Sequence, residues 1–325
     1  MEEIPTFDYS LLFSKDHSEL SPWNTLEKHP KNSLILNGVE ERVVEGALKG
    51  ISNFFELTNQ EERSEYLKKN SMDRIRSDAG ENRENLKIVT HPEYHCPSKP
   101  DSCKYSLFLL FFSYGCHLKG IHEVELGLAK AISTILGYEE TYIEKEFKLE
   151  AGFDVATFNL CSIGLVEHTA PGLFFPLYKM LTRAFKCSLI KQIGSLLTYP
   201  ENTIFIGIGD HLEVSLSIII IFLIARCTNN INQWEVQESN TYQVIQNNNE
   251  VKRISMATLH GPSLDTFVAL APRLIDKSHP PTYRGMTYKE SLEFNGFDEI
   301  DMQSSLIQLQ MLLSLSNFMH GVVFL

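Results

Sequence analysis

The sequence is short of basic residues. Lys and Arg together number 29 against 41 Asp and Glu in 325 residues, a formal net charge of −12. An excess of that sign repels polyphosphate chains and anionic lipid. No basic run interleaved with aromatics occurs, so no nucleic-acid or membrane partner is expected. Paired cysteines are also missing. The six thiols, Cys96, Cys103, Cys116, Cys161, Cys187 and Cys227, show no CxxC spacing, which fits reduced cysteines in a cytoplasmic protein. Long apolar runs are absent too. Ser106–Cys116 and Ser215–Ala225 fall far short of the roughly 20 residues of a spanning helix. The stretch MEEIPTFDYS has neither a basic nor an apolar signal region. IGIGD, at 206–210, lacks the GxGxxG spacing of a phosphate loop.

What is present changes texture along the chain. Val43, Val44, Ala47, Leu48, Ile51, Phe54 and Phe55 recur at helical intervals. Thr58 followed by NQEE reads as a capping box opening a further helix. Residues 122–147 read as a helix, a Gly-Tyr break and a second short helix. The first third is therefore expected to be mostly helical. From Gly152 onward, FDVATFNL, NTIFIGIGDHLEV, YQVIQNN and VKRISMATLHG are short β-rich runs bounded by Gly, Pro and Asn. Such spacing suggests a sandwich or jelly roll. Ser305–Met319 reads as a closing helix.

The order of the β-rich motifs is specific. FNL at 158–160 precedes EHTAPG at 167–172, IGIGDHLEV at 206–214 and YQVIQNNNEVKRIS at 242–255. ATLHGPSLDTFVALAPRLID at 257–276 and PPTYRGMTYKE at 280–290 follow. IPTFDYS, FFELTNQEE and VTHPEYHCPSKP add to the pattern nearer the N-terminus. Over most of its length the chain resembles the soluble plant 2-oxoglutarate- and Fe(II)-dependent dioxygenases, in the isopenicillin N synthase-like group. That resemblance implies a mainly β fold with a helical N-terminal part. Residues 1–148 would form the helical N-terminal domain, and 149–325 a double-stranded β-helix, or jelly roll, with a C-terminal helix. It also implies Fe(II) and 2-oxoglutarate as cofactors and a small organic molecule as substrate. The reaction couples decarboxylation of 2-oxoglutarate to succinate with oxidation of that substrate. Oligomeric state is not legible.

The family holds iron with two histidines and a carboxylate, in the pattern H-x-D and then a distal His, with R-x-S about ten residues on. Here His168 matches the first His, Ala170 stands where the family has Asp, and Tyr242 stands where it has the distal His. Arg253 and Ser255 match the R-x-S that takes the far carboxylate of 2-oxoglutarate. Asn159 matches the Asn of the family's N-x-Y, whose Tyr is replaced by Cys161. Glu167 cannot stand in for the lost carboxylate, because neighbouring strand residues face opposite ways. A phenol with an unperturbed pKa near ~10 ionises at a cost unless metal is already bound. Some bacterial members of the wider superfamily carry Ala or Gly at the carboxylate position and bind chloride on iron, but they keep both histidines. His211 is expected to be structural, and His91, His95, His260 and His279 to have no role.

The interval Leu177–Pro200 has neither family-like strands nor glycine turns, and Ser215–Asn230 has the Ile-, Leu-, Phe- and Ser-rich texture of a translated T-rich intron. Codons permitted by Leu177–Pro200, read one frame over, yield an alternating string with an Asn-Glu-Gly turn. The jelly roll is thus expected to be incomplete around 177–240. Lys179, Arg183, Lys186 and Lys191 would have to face solvent or disrupt a sheet. Two functional classes follow: a family oxidoreductase impaired by its altered iron ligands, or a non-catalytic, pseudogene-like product.

Overall fold

The computed structural model describes residues 6–8, 33–37, 41–56, 75–80, 83–112, 121–135, 138–161, 165–168, 170, 172–178, 186–189, 196–197, 203–212, 242–245, 253–268 and 285–294. Its backbone is organised around one long antiparallel pair. Strand β5, Asp154–Cys161, runs against β12, Arg253–Leu259, in register from Arg253 opposite Cys161 to Leu259 opposite Val155. Period-two burial explains why β12 forms where it does. Ile254, Met256 and Thr258 are buried, while Ser255, Ala257 and Leu259 are partly exposed.

Six further strands complete this sheet: β1 (Thr6–Asp8), β2 (Ser33–Asn37), β3 (Ile75–Gly80), β4 (Arg83–His91), β7 (Phe174–Tyr178) and β10 (Ile204–Ile208). The order is β1-β2-β10-β7-β12-β5-β4-β3. The N-terminal part therefore holds strands as well as the helices its periodicity announces. The polar 75–91 stretch forms a hairpin because β4 pairs with β5 along nearly its whole length, burying Leu86 and Ile88.

A second, four-stranded sheet has the order β6-β11-β8-β9. Its strands are Leu165–His168, Lys186–Leu189, Leu196–Leu197 and Tyr242–Ile245, numbered β6, β8, β9 and β11 in chain order. Two of them lie inside the interval read as strandless. Lys186–Leu189 pairs with Tyr242–Ile245, and Cys187 and Ser188 pair with Leu197 and Leu196. That expectation is corrected at these positions: backbone pairing gives short strands where the side-chain pattern does not ask for them. The rest of 177–240 is described at 177–178 and 203–212 alone. The expected helices after Thr58 and at Ser305–Met319 lie outside the described residues.

Four of the described helices lie on the core. Helix α1, Glu41–Phe55, buries Val44, Ala47, Leu48, Ile51, Phe54 and Phe55. It packs on α2, Asp101–Phe112, so closely that a Cβ at Gly50 would lie 3.0 Å from the Cys103 Cα. Helix α3, Ile121–Ile135, adds Ile121, Val124, Leu128 and Ala129, and short α4, Tyr142–Glu146, adds Ile143. These side chains share one apolar cluster with Leu86, Ile88, Phe158, Ile254 and Met256 of the large sheet. Burying a Leu, Ile or Phe contributes about 1.5–3 kcal/mol each, so this cluster fixes α3 against β5 and β12. Among the described residues no helix is long and apolar enough to cross a membrane.

Candidate metal and cosubstrate site

The family-like positions fall on neighbouring strands. His168 ends β6, and its register partner on β11 is Tyr242. Arg253 and Ser255 open β12, opposite Cys161 and Asn159 of β5. The fold thus brings His168 to Tyr242 in the smaller sheet, and Ser255 to Asn159 in the larger. Ala170 lies just beyond β6 and is buried. Its carbonyl accepts the Asp210 N–H at 2.9 Å. Gly172 follows with φ +98°, a backbone conformation that glycine adopts without strain. Its N–H donates to Nδ1 of His211 at 3.0 Å, which makes that nitrogen an acceptor and the ring neutral. Burial pushes His211 down to about 4, in line with its expected structural role. At 168, 170 and 242, the positions expected from the motif order to hold iron, this chain has an imidazole, a methyl and a phenol.

A second group of polar side chains, missed by the sequence reading, lies at the other end of the β5–β12 pair. His122 and Glu125 sit one turn apart on α3, Asp154 opens β5, and His260 follows β12. Asp154 bridges both rings. Its Oδ1 accepts from His260 Nδ1 at 2.7 Å, and its Oδ2 lies 2.7 Å from His122 Nδ1. Glu125 Oε2 lies 3.1 Å from the same His260 Nδ1. Neither Glu125 oxygen accepts a hydrogen bond, although the side chain is fully buried. His260 was expected to have no role; instead its ring is fully buried among these groups.

Burial opposes charge on His260, but the Asp154 and Glu125 carboxylates outweigh it and push the ring up to about 10. Burial likewise resists ionisation of Asp154, yet the charged His260 and the His122 hydrogen bond hold it well below the usual carboxylate range. Glu125 moves the other way, raised by desolvation that its partners do not offset. The sequence held one hint: His122 and Glu125 are three apart on an otherwise apolar helix face. Nothing local links them to residues 154 and 260.

No family model matches the chain. Among curated proteins, 2-oxoglutarate-dependent dioxygenase 19 of Oryza sativa subsp. japonica is 26% identical over 290 residues, covering 83% of this chain and 77% of that protein. Flavanone 3-dioxygenase 3 of the same organism is 25% identical over 281 residues, covering 80% of this chain and 77% of its own. The crystal structure of JOX2 in complex with 2OG, Fe and JA superposes with a TM-score of 0.72 at 16% identity, over 94% of this chain and 88% of that one. Over most of its length the chain is similar to plant 2-oxoglutarate-dependent dioxygenases, and its fold matches that of a 2-oxoglutarate- and iron-bound oxygenase. The eight-stranded and four-stranded sheets accord with the jelly-roll fold of such oxygenases. Asn159, Arg253 and Ser255 lie toward one end of the β5–β12 pair, and the buried His-carboxylate group lies at the other.

Proposed function

We propose that this chain descends from a dioxygenase oxidising a small organic molecule and has itself lost most of its capacity to hold iron. The reading is supported above all by Ala170. Its methyl cannot ligate, and its carbonyl is already taken by Asp210. His168 supplies one neutral donor at the family position. Tyr242 supplies a phenol that ionises only against a cost of several pKa units at neutral pH. One imidazole competes poorly with water for a hard divalent ion. The residues at 168, 170 and 242 therefore do not fit Fe(II), and no catalytic residue is assigned here.

The cosubstrate positions differ in this respect. Arg253, Ser255 and Asn159 keep the residue types that take a dicarboxylate in the family. A guanidinium offers a planar fork that matches a carboxylate in two hydrogen bonds. The resulting picture is a protein that keeps a place for 2-oxoglutarate with a depleted metal centre. Restoration tests it. In anaerobic calorimetry the Ala170→Asp/Tyr242→His variant should bind Fe(II) with 2-oxoglutarate at least tenfold more tightly than the native chain. Equal, tight binding by both chains would overturn the proposal.

A further inference from the structure

We propose that His122, Glu125, Asp154 and His260 form a structural site for a divalent transition-metal ion of the zinc class, separate from the family's iron position and independent of the reading above. One donor atom from each residue lies within 4.8 Å of the others. A tetrahedral ion with bonds of about 2.1 Å needs donors roughly 3.4 Å apart. His260 Nδ1 lies 2.7 Å from Asp154 Oδ1 and 3.1 Å from Glu125 Oε2, and His122 Nδ1 lies 2.7 Å from the other Asp154 oxygen.

Proton counting favours a cation. The Nδ1 nitrogens of His122 and His260 can each carry one hydrogen, and both point at Asp154. Glu125, fully buried beside them, makes no hydrogen bond of good geometry: its Oε2 lies 3.1 Å from a His260 Nδ1 whose hydrogen is already given to Asp154. A buried carboxylate that shares its one nearby cation with a second carboxylate is poorly compensated for its desolvation. An M2+ ion that displaces the His260 proton would sit among two carboxylates and two neutral imidazoles, a complex of zero net charge in which both carboxylates are ligands. Imidazole with carboxylate is also a donor set that suits zinc.

Location says what the ion does. Four protein ligands close the coordination sphere, as structural sites do. They come from α3, from the start of β5 and from beyond the end of β12, so the ion ties the helical layer to the central strand pair. Arg253 begins the strand that His260 follows. Seven residues of extended chain place the two about 23 Å apart. The site is therefore remote from the cosubstrate positions.

The test is metal content and affinity of the full-length chain. Purified without chelator, it should carry about one equivalent of zinc. After stripping, added Co2+ should give the intense visible absorption of a tetrahedral complex, and zinc should raise the unfolding temperature in a concentration-dependent way. Glu125→Gln and His122→Asn should each weaken zinc binding tenfold or more, whereas His168→Ala should leave it unchanged. His122→Asn sits at the partly exposed edge and serves if the Glu125 variant does not fold. Zinc that follows His168, or zinc binding equally tight in native chain and variants, would overturn the proposal. So would a Glu125→Gln chain that is more stable than the native chain with zinc present, since Glu125 would then be simply protonated.

Discussion

His211 shows how one buried side chain sets a pH dependence. Its Nδ1 must stay unprotonated to accept the Gly172 N–H, and the buried ring meets Tyr288 edge-on at 4.9 Å. In the unfolded chain the ring titrates at its ordinary 6.5; in the fold, burial lowers it to about 4. The unfolded state thus takes the proton first. The stabilising contribution is complete above about pH 6.5 and is lost as pH falls through about 4. At full extent it amounts to roughly 3 kcal/mol. Denaturant unfolding between pH 7 and pH 4 should show this loss, and His211→Asn should flatten it. Ala170 makes a second prediction at this scale. Ala170→Asp alone puts a carboxylate into a buried position beside buried Asp210. It should lower stability by about 1–3 kcal/mol without metal, and Fe(II) should recover part of the loss in a thermal melt.

At the scale of elements, α1 and α2 depend on close approach. Gly50→Ala gains up to about 1 kcal/mol in helix propensity. The added Cβ, however, meets backbone of α2 at 3.0 Å and 3.1 Å, which cannot swing aside as a flexible side chain would. The variant should be less stable than the native chain in denaturant titration. Ile51→Ala, at a fully buried position of the same helix, should cost about 2–5 kcal/mol. Helix α2 was not legible, because its apolar residues occur as an unbroken run with no polar face; α1 was, because 3.6-residue periodicity is written in consecutive side chains. The β5 and β12 strands were legible for the same reason, from apolar and β-branched runs. The hairpin at 75–91 and the strands at 186–189 and 196–197 were not. Their sequences are polar or irregular, and the ladder bonds that define them come from partners far along the chain.

For the whole molecule, family and fold were legible from motif order, since each motif keeps its place along the chain even where single residues have changed. The same order located His168, Ala170 and Tyr242 in one part of the fold and Asn159, Arg253 and Ser255 in another, and the backbone register pairs members of each group. The buried group at His122, Glu125, Asp154 and His260 was illegible because its members span nearly half the chain. They meet only when α3 docks on the strand pair, and no local pattern encodes that docking. The most direct test of the central claim is succinate release by the native full-length chain, supplied with Fe(II), 2-oxoglutarate, air and a panel of small phenolic and carboxylic acid substrates. The account predicts no release above that of iron without protein. Iron-dependent release that disappears in His168→Ala would contradict it.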